Sequence, residues 1–313
     1  MIVVRTVAEA RAALDALPRP LGFTPTMGAL HAGHLGLVEA ARSRCASVAA
    51  SIFVNPAQFG RGEDFRRYPR DEARDLRLLE EAGVALAFAP AAAEMYPDGF
   101  ATAVHVGGPL TKSLEGVSRP GHFDGVTVIV IKLLGVARPD VLFLGEKDAQ
   151  QLAVIRRCVR DLDLPVEVVG VPTRREPDGL AMSSRNAYLT AGQRAVAPGL
   201  YRALLAGAEA ARRPGAAAAD VVAAAADALP SLAAGLELDY LAVVDEATFV
   251  PETGLGPRSR LVLAARLGGT RLIDTVSVAV PSNGHPRPTP TTPATSSRAY
   301  PVQDATGMEG RTQ

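Results

Sequence analysis

From Met1 to about Val171, short apolar runs alternate with stretches in which apolar residues recur every three to four positions. Val7, Ala10, Ala13, Leu14 and Leu17 fall on one helical face that Pro18 terminates. Leu21 to Thr24 then read as a buried strand, and Leu35, Leu37, Val38 and Ala41 as the face of the next helix. The same logic predicts strands at Ser47 to Val54, Leu86 to Ala89, Val141 to Leu144 and Glu167 to Val171. It places helices at Arg70 to Ala82, Asp124 to Ala137 and Ala149 to Leu162. Such alternation is the signature of an α/β fold, a Rossmann-like doubly wound parallel sheet, in which ligands bind at the carboxyl ends of the strands.

After Pro172 the alternation stops. Ala-rich helices are expected at about Ala191 to Arg213 and Ala216 to Leu229, followed by strands at Leu236 to Val244, Arg260 to Ala265 and Thr270 to Ile273. This predicts a smaller C-terminal α+β domain of lid character. The expected division is 1–173, 174–274 and a Pro-, Ser- and Thr-rich tail, 275–313, with too little apolar periodicity to fold.

Composition narrows the partners. The chain has 313 residues, 48% of them apolar, enough for a large core, and 33 basic residues balance 33 acidic ones. Zero net charge gives no global attraction to nucleic acid or an anionic membrane, so the expected partner is a small molecule. Cys45 and Cys158 have neither metal-ligand spacing nor a disulfide framework. They fit a reducing cytoplasm, and with no signal peptide and no apolar run of about 20 residues the protein is expected to be cytoplasmic. Of the 33 basic residues only Lys112, Lys132 and Lys147 are lysines. Arginine on the surface therefore carries little information, and a lysine in a polar turn carries more.

The chemistry-bearing clusters each follow a strand end. Phe23-Thr24-Pro25-Thr26-Met27-Gly28-Ala29-Leu30-His31-Ala32-Gly33-His34 runs from strand into helix. Unpaired N–H groups and the helix dipole there suit an anion, with Gly28 and Gly33 allowing close approach. His31 and His34, three apart, face the same way; alternatively they are an exposed pair without a role, or half a zinc site. Asn55 and Gln58 in Phe53-Val54-Asn55-Pro56-Ala57-Gln58-Phe59 offer amides to a substrate with hydroxyl and carboxylate groups, although Asn-Pro is also an ordinary turn. Ser118 to Gly125 opens a helix, and for Arg119 and His122 turn chemistry and function weigh equally. The helix carries Val126, Ile129, Val130 and Leu133, fit to wall a small branched substrate or to fill core. In Gly145-Glu146-Lys147-Asp148-Ala149-Gln150-Gln151, Lys147 supplies a compact ammonium. Asp148 suits a ribose hydroxyl or a helix cap, and Gln151 the same cavity. Ser183-Ser184-Arg185-Asn186 supplies hydroxyls and a forked cation for phosphate.

These clusters, with Arg119-Pro120-Gly121-His122-Phe123-Asp124-Gly125-Val126 and Asp178 to Asn186, resemble in identity and order the motifs of the pantothenate synthetases, the pantoate:beta-alanine ligases of the class I nucleotidyltransferases. The resemblance covers about Met1 to Asp274. It implies condensation of (R)-pantoate with beta-alanine through a pantoyl adenylate, with release of pyrophosphate and AMP. It implies that Met27, Gly28, Ala29, Leu30, His31, Ala32, Gly33 and His34 line the ATP site together with Gly145, Glu146, Lys147 and Asp148. Arg174, Met182, Ser183, Ser184 and Arg185 would close over the nucleotide. His34, His31, Lys147, Ser183, Ser184 and Arg185 would stabilise the reacting phosphates, His34 being the candidate proton donor. Gln58 and Gln151, with Asn55, would hold pantoate, and Gln58 would also receive beta-alanine. Mg²⁺ would accompany ATP, held mainly by phosphates, and the assembly would be a homodimer. Three other readings share some of these residues: a different adenylyl-transferring enzyme, an RNA-binding synthetase-related module, and a zinc hydrolase built on His31, His34 and His122.

Overall fold

The inner strands of the parallel sheet are short and buried on both faces, which is why they read as continuous apolar runs. In the computed structural model, which describes residues 1–230 and 235–280, the first part of the chain runs as follows. β1 (Ile2–Val4), α1 (Val7–Asp15), β2 (Leu21–Thr26), α2 (Ala32–Arg42), β3 (Ser47–Ile52), α3 (Glu72–Glu81) and β4 (Leu86–Phe88) come first. The short helices α4 (Ala92–Met95) and α5 (Glu115–Ser118) lead into α6 (His122–Ala137), β5 (Val141–Gly145), α7 (Ala149–Asp161) and β6 (Glu167–Val171).

The sheet order is β1-β4-β3-β2-β5-β6, all parallel. The chain winds outward from β2 through β3 to β4, then returns to place β5 on the other side of β2, so the topological switch point lies between β2 and β5. β5 pairs with β2 only at Gly22 and Phe23, whereas β3 follows β2 to Thr26. The end of β2, with Pro25 lacking a donor, therefore borders an opening rather than a neighbouring strand. Leu14, Phe23, Phe88, Ile129 and Ile155 belong to the core on one face, formed with α1, α6 and α7. Leu37, Val38, Leu79 and Phe143 belong to the other, under α2 and α3.

The later part contains α8 (Ala191–Val196), α9 (Gly199–Ala210), α10 (Ala218–Asp227) and the antiparallel meander β7 (Leu236–Asp245), β8 (Ser259–Leu267) and β9 (Thr270–Ser277). Its core joins Leu200, Leu204 and Val221 to Leu261 and Leu263. A further cluster sets Ala153 and Val154 of α7 against Val244 and Val262, so α7 is covered by both sheets. By its contacts the described chain is one unit.

Several boundaries differ from expectation. β1 is too short to signal itself, and the long Ala-rich helix divides at Ala197-Pro198 into α8 and α9. Residues 275–280, expected to open the tail, are part of the fold instead. β9 continues to Ser277, and Val278 is buried and bonds through its N–H to the Ser259 carbonyl. The rest of the expected tail, residues 281–313, lies outside the described residues.

Candidate active site

The switch point holds a cleft of about 1400 Å³, open mouth included, lined from both parts of the chain. His31 is the N-cap of α2: its Nδ1 accepts from the Gly33 N–H at 3.1 Å, and His34 Nδ1 accepts from the His31 N–H at 3.4 Å. The two rings lie 4.1 Å apart. With each Nδ1 an acceptor, each Nε2 carries the hydrogen and is free to donate. Burial, aided by Lys147, lowers the pKa of His31 to about 4; burial, His31 and Lys147 lower that of His34 to about 3. Both rings are thus neutral hydrogen-bond donors near pH 7 in the unliganded site.

Lys147, in the turn that opens α7, lines the same cleft and lies 3.6 Å from Asp148 Oδ1. Met27, Gly33, Gly145, Asp148, Arg174, Met182, Ser183, Ser184 and Arg185 also line it, so most of the anticipated nucleotide residues come together. Five do not. Gly28, Ala29, Leu30, Ala32 and Glu146 lie outside the lining. The amides of Ala29 and Leu30 are already taken, each donating at 2.8 Å to the buried carboxylate of Asp75. Glu146 turns toward the meander, 3.6 Å from Arg260. The free amides expected of the turn are therefore engaged within the protein, and side chains supply the polar groups at this end of the cleft. Arg174 is paired with Glu39 across α2, where Gly36 leaves room for it. Arg185 is paired with Asp64 through two bonds of 2.9 Å.

The other end of the cleft is amide-lined and apolar. Asn55 is 1% exposed and all its amide capacity is used: it donates to Gln58 Oε1 and the Gly125 carbonyl at 3.0 Å, and accepts from the Ala57 N–H and the Tyr96 hydroxyl. Asn55 lines the cleft, and its bond to Gln58 Oε1 orients that side chain. Gln58 is left presenting Nε2, whose one partner among the described residues is the weak acceptor Met27 Sδ at 3.0 Å. Gly125 is required here because a Cβ would overlap the Ala57 carbonyl. Gln151 lines the cleft, whereas Gln150 is buried, donating to the carbonyls of Leu110 and Ser113. Phe53, Val126, Ile129, Val130, Leu133 and Leu144 complete an apolar wall.

Arg119 and His122, undecided from sequence, both line the cleft. His122 Nδ1 donates to the Gln58 carbonyl at 2.9 Å, and its Nε2 accepts from Arg119 at 3.0 Å. Burial and the adjacent guanidinium lower its pKa to about 4. With both nitrogens engaged it is not a partner for His31 and His34 in a metal site, and among the described residues no three His, Cys, Asp or Glu side chains are grouped to hold one. Sequence reasoning missed Tyr68, which is buried in the lining, Glu63, Asp64 and Tyr96, which hold lining residues in place, and Asp75, which binds the amides of Ala29 and Leu30 just outside it. Only the polar loop around Glu63 and Asp64 offered a signal, and it reads equally as solvent-exposed turn.

A parallel sheet with a two-ended cleft at its switch point, polar donors at one end and amides and an apolar wall at the other, defines an α/β enzyme of the Rossmann-like class. The family model described as pantoate-beta-alanine ligase matches residues 2–277. Pantothenate synthetase from Thermus thermophilus is 54% identical over 279 residues, 89% of this chain and 99% of that protein. That from Rhizorhabdus wittichii is 52% identical over 283 residues, with coverage of 89% and 99%. A crystal structure of the Thermus thermophilus synthetase superposes with a TM-score of 0.85, 54% identity and coverage of 90% of this chain and 100% of that one. The Francisella tularensis ligase, crystallised with beta-gamma ATP and beta-alanine, gives 0.73, with 33% identity and coverage of 89% and 98%. The chain belongs to the pantoate-beta-alanine ligase family, and it is an enzyme of that activity.

Proposed function

We propose that the reaction proceeds in two steps within the one cleft, ATP occupying the His31–His34 end and (R)-pantoate the Gln58–Gln151 end. A carboxylate oxygen of pantoate attacks the α-phosphorus, the bond to the β-phosphate breaks, and pyrophosphate leaves with the bonding electrons. The amine of beta-alanine then attacks the acyl carbon, loses a proton, and expels AMP to give pantothenate. The observation that carries this reading is the joining of both ends in one cavity: Nε2 donors and Lys147 lie at one, and the Gln58 amide with its apolar wall at the other. The Francisella tularensis ligase with its bound nucleotide and amino acid supports ATP and beta-alanine as substrates.

Catalysis in this reading is positioning and charge stabilisation. His31 and His34 donate from Nε2, Lys147 meets the leaving phosphates, and Ser183, Ser184 and Arg185 close from the far wall. Mg²⁺ accompanies ATP, and the donor set fits an ion held by phosphates and water. Glu63 and Asp64 are held by arginines and Asp148 stands beside Lys147, which leaves no carboxylate cage at the cleft among the described residues. Residues 174–280 act as the lid over this site. The enzyme works as a cytoplasmic homodimer, a reading supported by the family resemblance and by two cysteines without a disulfide partner. No helix among the described residues is long and apolar enough to cross a membrane.

The test is pyrophosphate release from ATP and Mg²⁺, with and without pantoate, followed by addition of beta-alanine. Pantoate-dependent release, then AMP and pantothenate, is the expected result. A free adenylylated product that beta-alanine does not consume would instead place the enzyme among other adenylyl transferases.

A further inference from the structure

All four main-chain polar groups of Ala29 and Leu30 are engaged, and by partners distant in sequence. Ala29 N–H donates to Asp75 Oδ2 and Leu30 N–H to Asp75 Oδ1, both at 2.8 Å. Arg74 Nη1 donates to the Leu30 carbonyl at 3.0 Å, and the Ser184 hydroxyl donates to the Ala29 carbonyl at 3.1 Å. The turn is therefore gripped from α3 on one side and met by the 183–186 loop on the other.

We propose that Asp75, assisted by Arg74, is a positioning residue for the nucleotide end of the cleft; this rests on the nucleotide reading above. Ala29 has φ of +49°, in the left-handed region that a residue with a Cβ adopts at a cost. Drawing two successive N–H groups onto one carboxylate sustains that conformation. Its consequence is to leave the Ala29 carbonyl available to Ser184, so the grip from α3 fixes where the 183–186 loop lands. It equally fixes the start of α2, two residues on, and with it His31 and His34. Asp75 is 1% exposed, and a carboxylate so buried is tolerated because two N–H groups and the Arg74 guanidinium, 3.9 Å away, compensate it. Gly28 belongs to the same device. A Cβ there would stand 2.8 Å from Asp75 Oδ2, at a φ of +76°. Only a carboxylate satisfies both amides, because an asparagine of the same shape offers one oxygen and turns its NH₂ against the second N–H.

Asp75→Asn, Ser184→Ala and the double variant, each checked for folding, are compared in pyrophosphate release with ATP and pantoate varied separately. Asp75→Asn is expected to raise the KM for ATP on the order of tenfold, the effect of one charge-assisted bond, while the KM for pantoate stays within about twofold. The double variant should show less than the product of the single effects, because both act on the one turn. A merely structural Asp75 would lower stability and move both KM values together or neither, and that result overturns the proposal. If Asp75→Asn does not fold, Arg74→Gln decides: a selective rise in the KM for ATP supports it and none overturns it. Should Ser184→Ala and His34→Ala also leave the KM for ATP unchanged, the nucleotide reading itself has failed, which is a separate outcome.

Discussion

Arg185 is held by Asp64 through two hydrogen bonds of 2.9 Å, Nε to Oδ2 and Nη2 to Oδ1. Burial acts to raise the Asp64 pKa, but the guanidinium outweighs it and keeps the carboxyl below the usual range. The neighbouring Glu63 does the same to Arg119, at 2.7 and 2.8 Å. Two consecutive carboxylates thus occupy two of the cations that line the cleft.

An internal carboxylate on Arg185 competes with a phosphate for the same fork. Asp64→Asn keeps the shape and removes the charge, so it is expected to lower the KM for ATP by about threefold to tenfold, at some loss of stability. Steady-state kinetics with ATP varied at saturating pantoate decide this. A raised KM would mean that Asp64 holds Arg185 in its working position.

Tyr96 donates to Asn55 Oδ1 at 2.7 Å, and Asn55 in turn donates to Gln58 Oε1 at 3.0 Å. Burial raises the Tyr96 pKa to about 12, so the hydroxyl keeps its proton across the working range. Tyr96→Phe leaves the ring against Phe53 and Phe100 and removes only the donor. About 1 kcal/mol of positioning is lost, and the KM for pantoate should rise roughly fivefold with the KM for ATP unmoved. An equal rise in both would assign Tyr96 to packing alone.

What depends on local spacing is legible in the chain. The parallel strands announce themselves as apolar runs, and His31, His34, Lys147, Gln58 and Gln151 by residue type at strand ends. β1 is silent because three residues carry no period, and the last strand reads short because Thr275 and Ser277 look polar although Thr275 is buried. The residues that hold the site are illegible for a different reason. Asp75 meets Ala29 across 46 positions and Tyr96 meets Asn55 across 41, and no pattern in either segment refers to the other. Asn55 and Gln150 illustrate the converse. Their type suits ligand binding, yet folding brings each enough protein partners to consume it.

His34→Ala and Lys147→Ala should fold yet lose pantoate-dependent pyrophosphate release by roughly tenfold to a hundredfold or more, since each removes a bond of about 1.5–3 kcal/mol to developing charge. Far-UV circular dichroism alongside the assay separates misfolding from lost chemistry. Near-normal release by either would remove that residue from the proposed role.

The family match ends at residue 277, and Val278 and Val280 still bond to Ser259 and Gly256. Ending the chain after 280 is therefore expected to leave turnover within about twofold, whereas ending it at Asp274 strips the end of β9 and should destabilise the meander. Turnover and thermal midpoints of the two truncations distinguish these outcomes.

The three cleft histidines make stability depend on mild acid. Their folded pKa values, about 4 for His31, about 3 for His34 and about 4 for His122, lie below the 6.5 of an unfolded histidine. As pH falls through 6.5 the unfolded chain takes up protons that the folded one refuses, so stability present above 6.5 is lost progressively on the way down to 4 or 3. His122, the buried ring, accounts for up to about 1.4 kcal/mol per pH unit across that window, and the half-buried His31 and His34 for less. Carboxylates paired with arginine, such as Asp64 and Glu63, begin to contribute only lower, because arginine holds them ionised. Urea midpoints measured between pH 6.5 and 5 should therefore fall steeply, and His122→Asn should flatten the slope while lowering the plateau. A slope unchanged by that substitution would mean that His122 is already charged in the folded enzyme, contrary to its place beside Arg119.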